Sequence, residues 1–488
     1  RQGINWCYPL EISIRIIAWT TAFQFFRASP EFQEEVGEIF IKSLWQQTDF
    51  LSRHLQTVRT ADDIPNNHMI AELTGLIVVG AAFPEFRAAA NWREKGLSLL
   101  VEQTNAQTHV DGVHKEQASG YHRFVTELLL LVVINNRSVL KHETALKKTL
   151  EQMLDYTLFS VSPTGTNPMW GDTDFGRTLG LGLTKDFWDF RPLLSVGTVL
   201  FRRPDWKFAA GDFDKEAFWL LGTDGLHDWK EIDAELPETT SRAFPQAGQY
   251  IIRDSWSKIT DIAYFRCGPF GLGGEGHCAH AHSDLLSFIL WVNGLSVLVD
   301  SGTYMYHDSM RDYFRLSSAH NTVMVDGHNQ AIPQPNFNWR EISKAKNLDW
   351  SEKNVTGRVN YPGVEFTRSL SHPRPGTWSL NDKFCDANQH KLEWFFNFAP
   401  GFEFELLEDD RILKLSKGGQ PFLNLHMPSN NGLNIQLDDA WYSCKYAIKE
   451  KNQKLHAKWQ GELNEQGIGF NWRFELIDSE KGKDNALN

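Results

Sequence analysis

The feature that most narrows the fold of this chain is a change of periodicity near residue 245. Before it, apolar side chains recur at three- and four-residue spacing over 8–27, 31–57, 66–84, 87–106, 114–135 and 139–159. That is the spacing of one buried helix face. After it, QYIIRDSW, DIAYFRCG, LSFILWVNG, LSVLVDSG, HNTVMVDG and FEFELLEDDRILKL run β-branched and aromatic between Gly, Asn and Asp turns, which reads as short strands. Connections such as Ala28-Ser29-Pro30 and Phe83-Pro84-Glu85 are short, so consecutive helices pair antiparallel in an α/α bundle or toroid. The expected class is α+β and multidomain. A helical domain spans 1–205, a connector 206–244, and an antiparallel β-sandwich 245–488. Residues 163–178, PTGTNPMWGDTDFGRT, break the helical pattern and read as a long loop.

Composition excludes several classes. The net charge of −12 argues against a nucleic-acid binder, while leaving room for an anionic substrate in a local basic cleft. No run of eighteen apolar residues exists, so no membrane span is expected. Cys7, Cys267, Cys278, Cys385 and Cys444 are scattered and form no CxxC pattern. The chain opens RQGINWCYPLEISIRIIAW, without Met or a signal peptide, and is read as trimmed, its compartment signal lost. Eighteen Trp and 13% aromatic content suit stacking on sugar rings, although most Trp must be core.

Three constellations could carry chemistry. Asn66-Asn67-His68 with Glu72 opens a helix; Asn66 could cap it and His68–Glu72 could be a surface pair, or Asn67 could offer an amide donor to a substrate carboxylate. Glu116-Gln117-Ala118-Ser119-Gly120-Tyr121-His122-Arg123 is unusually polar for a helix that continues ELLLLVV. There a Tyr121 with a cationic neighbour could act as base and acid, or could simply be core.

The third is GGEGHCAHAHSD, with His277, His280, His282 and Asp284, followed by Asp300 and His320. Imidazoles and a carboxylate form an N/N/O set suited to zinc. If Ala279–Asp284 is extended, His280, His282 and Asp284 share one face. A hairpin at Asn293-Gly294 sets Asp300 opposite Ser287, which leaves His282 about 16 Å away along the strand at ~3.3 Å per residue. For His282 and Asp300 to share an ion, the chain before Leu285 must fold back.

HAHSDLLSF, VNGLSVLVDSGTYMY and RDYFRLSSAHNTVMVDG resemble the heparinase II/III-like group of polysaccharide lyases, as do NNHMIAELTG, DGVHKEQASGYH and NPMWGDTDFGR, in the same order. The resemblance covers about residues 5–335 and implies an incomplete α/α toroid followed by an antiparallel β-sandwich. It implies β-elimination from an anionic, uronate-containing polysaccharide such as heparan sulfate, hyaluronan or chondroitin, with alginate or a bacterial exopolysaccharide as alternatives. Carried over by motif, Asn67 would neutralise the substrate carboxylate, while Tyr121 and His280 would move protons. His282, Asp300 and His320 would hold one divalent ion, zinc before manganese or calcium, in a mainly structural role.

The expected substrate contacts are His68, Glu72, Glu116, Gln117, His122, Arg123, Trp170, Asp172, Asp174 and Arg177. Asn at 67 leans towards the heparan sulfate type, and a periplasmic or secreted bacterial setting is expected. Two rivals stay open. A glycoside hydrolase would use two carboxylates from Glu72, Glu116, Asp172 and Asp174. A sugar-binding protein would show no turnover.

Overall fold

The computed structural model describes residues 3–32, 35–56, 65–182, 186–272, 278–335, 337–409 and 411–477. It resolves into two compact units, one of Arg1–Leu158 with Phe175–Leu236 and one of Phe159–Asp174 with Pro237–Asn488.

The first unit is helical. In chain order its helices are α1 (Pro9–Phe26), α2 (Glu35–Arg53), α3 (Asn67–Ala82), α4 (Ala89–Gln107), α5 (Ser119–Asn135), α6 (Val139–His142), α7 (Thr144–Ser160, ending across the unit boundary), α8 (Arg191–Phe201), α9 (Pro204–Ala210) and α10 (Lys215–Lys230). The α3 sequence NHMIAELTGLIVVGAA is apolar around its circumference, and the helix is buried along most of its length, against α1, α4 and α5. Ile12 and Ile16 of α1, Leu44 and Leu51 of α2, Leu76 and Val79 of α3 and Trp92 of α4 close one core beside it. Stretch 206–244, expected as a connector, is largely helical, since α9 and α10 belong to this unit. The α10 helix is broken at Gly222, whose φ of 66° and ψ of −160° lie outside helical space.

The second unit is antiparallel β. Its strands are β1 (Arg242–Phe244), β2 (Gln249–Arg253), β3 (Ile262–Arg266), β4 (Phe288–Val292), β5 (Leu295–Leu298), β6 (Val323–Val325), β7 (Ile332–Gln334), β8 (Asn338–Arg340), β9 (Ala345–Ser351) and β10 (Asn354–Tyr361). They continue as β11 (Val364–Arg374), β12 (Thr377–Cys385), β13 (Gln389–Asn397), β14 (Glu403–Leu407), β15 (Ile412–Lys417), β16 (Gln420–His426), β17 (Asn434–Lys445), β18 (Ile448–Glu462) and β19 (Ile468–Leu476). Among the described residues they form sheets in the orders β1-β2-β3-β4-β5, β14-β15-β16-β19-β12-β11-β10-β9, β17-β18-β13-β6 and β7-β8.

Inward residues of the three larger sheets share one core, including Phe288, Phe366, Phe384, Trp394, Phe396, Trp472 and Phe474. Full burial of each such side chain contributes about 1.5–3 kcal/mol. The irregular segment 159–174 groups with this unit through hydrogen bonds. Arg253 Nη2 donates to the carbonyls of Phe159 (2.9 Å) and Val161 (2.5 Å), and the Thr173 N–H donates to Thr303 Oγ1 (2.9 Å).

The β4–β5 hairpin turns at Asn293 and Gly294, both with positive φ (50° and 77°), the conformation a two-residue hairpin loop requires. Val292 pairs with Leu295 and Trp291 with Ser296, after which the register slips to Leu290 with Leu298. Upstream the chain leaves the strand. Leu286 takes a φ of 56°, its N–H donates to the Arg266 carbonyl, and the Ser287 N–H donates to the Asp284 carbonyl. Residues 279–284 are therefore a turn rather than an extended face, and the fold-back that the metal reading required is present.

Candidate active site and metal centre

In the helical unit, Asn66 caps α3, its side chain accepting the His68 N–H at 3.1 Å. Asn67 follows at 1% exposure. Its backbone N–H donates to Glu116 Oε1 at 2.9 Å, and Nδ2 lies 3.0 Å from each Glu116 oxygen. One buried carboxylate thus fixes both the start of the helix and the orientation of the Asn67 amide, in a position that also suits the helix dipole. Glu72, one turn on, accepts the Gln56 N–H at 2.6 Å, and burial raises its carboxyl to about 7. His68 is half-buried.

Tyr121 lies in the first turn of α5 at 9% exposure. Gln117, just before that helix, has a φ of 55° and lies 3.4 Å from His109 through its Nε2. His122 and Arg123, expected beside the substrate, are turned into the helix packing. His122 Nε2 lies 3.2 Å from the Met153 carbonyl and 3.3 Å from Thr157 Oγ1. Burial lowers its pKa to about 4, so the ring is neutral.

Arg123 donates to Glu127 (2.8 Å) and to the Phe187 and Asp189 carbonyls, and stacks over Phe187 and Phe190. Arg177 joins the same buried cluster, 2.7 Å from Glu216 and 3.6 Å from Glu127. Burial first, and the neighbouring Glu127 charge second, raise Glu216 to about 7.

In the β unit, Asp172 lies at the centre of a polar cluster, at 1% exposure. Its Oδ1 is 2.9 Å from His282 Nε2, its Oδ2 is 2.6 Å from Arg311 Nη2, and His280 Nδ1 approaches Oδ2 at 3.6 Å. The Asp172 N–H donates to the His280 carbonyl at 2.8 Å. Burial opposes its charge, but the histidines and Arg311 outweigh that and hold the carboxyl well below the usual range. Trp170, expected as a stacking plane, is 1% exposed, whereas Asp174 is exposed.

The residues around His280 that the sequence did not single out are Arg311, Tyr306 and Phe337. Arg311 lies over the rings of Phe337 (4.3 Å) and Tyr306 (4.9 Å), which in turn lie 5.9 and 6.1 Å from the His280 ring. The one available signal was the position of Arg311 in RDYFRLSSAHNT, the motif that ends on His320.

His282, Asp300 and His320 come together, with one donor atom from each within 4.8 Å of the others and all three buried. His320 Nδ1 is 2.7 Å from Asp300 Oδ2, and the Gly302 N–H donates to Asp300 Oδ1 at 2.9 Å. Among the described residues His282 Nδ1 and His320 Nε2 are buried without a hydrogen-bond partner. The orphaned His282 nitrogen, with His320 Nδ1 and Asp300 Oδ2 beside each other, makes an N/N/O donor set that fits a divalent cation. Asp284 pairs with Arg266 at 2.5 Å instead. His277 lies outside the described residues, and Cys278 is buried.

A dense frame holds this segment. The Leu285 N–H and carbonyl bond the Gln330 amide (2.7 and 2.8 Å). Arg368, paired with Asp382, donates to the Leu286 and Asn321 carbonyls.

Residues 1–179 match the family model described as Heparinase II/III N-terminus, and residues 236–473 match the one described as Heparinase II/III-like, C-terminal. A heparin-sulfate lyase of Bacteroides stercoris is 24% identical over 464 residues, covering 92% of this chain and 62% of its own. A heparin-sulfate lyase of Pedobacter heparinus is 26% identical over 376 residues, covering 75% and 49%. The chain therefore spans about half to two thirds of the length of these curated relatives. A crystal structure of heparinase III shares the fold, with a TM-score of 0.77 at 17% identity over 96% of this chain and 69% of that one.

Proposed function

Because this chain belongs to the heparinase II/III-like family, we propose that it is a polysaccharide lyase that cleaves a uronate-containing glycosaminoglycan by β-elimination. The observation that carries the reading is where the two family matches run. Asn67 and Tyr121 fall within 1–179, and His280 and the His282–Asp300–His320 triad fall within 236–473. The description of the curated relatives as heparin-sulfate lyases puts heparan sulfate ahead of hyaluronan, chondroitin and alginate. Its action belongs in the periplasm or outside a bacterial cell, where such polymers are met.

The reaction removes the proton at C5 of the uronate and expels the oxygen at C4, so negative charge grows on the carboxylate. Asn67 answers that charge. Glu116 shares one Nδ2 proton, which leaves the other for the substrate carboxylate, a donor aimed where charge develops. Tyr121 takes the C5 proton and returns it to the leaving oxygen when both lie on one ring face. His280 is the base when the proton lies on the other face. A divalent ion held by His282, Asp300 and His320 would supply a fixed charge that anchors the segment bearing His280.

The hydrolase alternative needs two carboxylates free to flank the scissile bond. Glu116 is bonded to Asn67, Glu72 to the Gln56 N–H, and Asp172 to His282 and Arg311, which favours elimination. Replacing Tyr121 with Phe should cut formation of the unsaturated uronate by ~10²–10⁴-fold, with circular dichroism unchanged. A Tyr121→Phe variant with undiminished turnover would sink the assignment.

A further inference from the structure

We propose that Asp172 is a positioning residue: it selects the nitrogen that His282 offers to the divalent ion and ties that ligand to His280 through a single carboxylate. The proposal rests on reading the triad as a metal centre and is independent of which reaction the protein catalyses.

The geometry is specific. Asp172 Oδ1 lies 2.9 Å from His282 Nε2. An ionised carboxylate only accepts, so Nε2 must carry the ring proton, and Nδ1 keeps its lone pair. That Nδ1 is the atom left buried and without a hydrogen-bond partner among the described residues. His320 differs, because its Nδ1 lies 2.7 Å from Asp300 Oδ2, a member of the triad itself, so that contact is between two candidate ligands and selects no tautomer. For His282, then, a carboxylate outside the triad makes the choice of nitrogen.

Asp172 is itself fixed by main chain and by charge. Its N–H donates to the His280 carbonyl at 2.8 Å, and the next N–H, of Thr173, donates to Thr303 Oγ1 at 2.9 Å. Arg311 Nη2 supplies a counter-charge at 2.6 Å, with its guanidinium seated over Phe337 and Tyr306. The second oxygen, Oδ2, faces His280 Nδ1 at 3.6 Å, so movement of the metal ligand and movement of His280 are transmitted through the same group.

The test uses the full chain with ¹⁵N-labelled histidine, loaded with zinc. Two-bond proton–nitrogen correlations report which nitrogen of each ring is ligated and which is protonated, and His282→Gln assigns the signal. The expected pattern is His282 bound through Nδ1 with Nε2 protonated. Ligation of His282 through Nε2 overturns the proposal. A wild-type chain that takes up no zinc overturns the metal centre and this proposal with it, and lyase turnover is scored separately.

A second measurement is zinc competition against a chromophoric chelator. Asp172→Asn should weaken zinc binding by ~10–100-fold while the zinc-free variant keeps the wild-type circular dichroism. Unchanged affinity in that variant also contradicts the proposal. Should Asp172→Asn fail to fold, the wild-type correlations still decide.

Discussion

Asn67 and Glu116 form one hydrogen-bonded unit although 49 residues separate them in the chain. The Glu116 carboxylate takes the amide and the backbone N–H of Asn67, so removing it frees a donor that must be aimed. Glu116→Ala should lower lyase turnover by about 10–100-fold, because a misaimed donor loses transition-state charge stabilisation. Glu116→Gln, which keeps one acceptor oxygen, should lose less. Steady-state turnover on heparan sulfate checks both, and equal, undiminished rates would contradict the role.

Residue identity was only partly legible here. Tyr121 stands out in the sequence because its motif is unusually polar for a helix that continues ELLLLVV, and Asn67 because it offers an amide at the start of one. Arg123 looked just as available in the sequence. Its burial follows from Glu127 one turn on and from carbonyls 64 and 66 residues away, partners that no local pattern reveals. Asp172 was expected as a substrate contact, and its partner His282 lies 110 residues later.

At the scale of elements, the β6–β13 edge carries a pH-sensitive tie. Asp326, in the turn after β6, accepts from His390 Nδ1 at 2.7 Å and from the Lys391 N–H at 2.8 Å, while Asp386 accepts from His390 Nε2 at 2.6 Å. Both ring nitrogens donate only when the ring is protonated. Burial opposes that charge, but the two carboxylates outweigh it and raise His390 above its ordinary value. A raised folded value means the tie is complete below the unfolded pKa of about 6.5 and is lost as pH rises through the folded one. His390→Gln should therefore lower the melting temperature at about pH 6 and converge on the wild type in alkali. A gap that does not change with pH would contradict this.

Elements were the most legible level. Asn293-Gly294 announced its hairpin because positive φ at both positions suits those residue types. The bulge at Leu290 and the left-handed Leu286 left no such mark, since packing imposes them. The helical content of 206–244, read as a connector, was missed, and α10 is itself broken at Gly222.

For the molecule as a whole, the order of helices then antiparallel sheets follows from the switch of apolar period, because each period buries a different surface. The assignment of 159–174 to the β unit does not follow from it. That segment has no period of its own and goes where Arg253 donates to it and where Thr303 and the His280 carbonyl accept from it.

Metal binding should be felt at this scale. An ion held by His282, Asp300 and His320, buried side chains from three separate stretches, would cross-link the β unit. Zinc at a hundredfold excess over its dissociation constant stabilises by about 2.7 kcal/mol. Chelation should lower the melting temperature and zinc should restore it; identical melting with and without the chelator would argue against a bound ion. No described helix is long and apolar enough to cross a membrane.

The most direct test of the central claim is ultraviolet absorbance of the C4–C5 double bond of an unsaturated uronate. The purified protein is incubated with heparan sulfate, heparin, hyaluronan, chondroitin sulfates and alginate, beside its Tyr121→Phe variant. The account predicts rising absorbance on heparan sulfate, lost in the variant. New reducing ends with no change in absorbance would contradict it and establish hydrolysis instead.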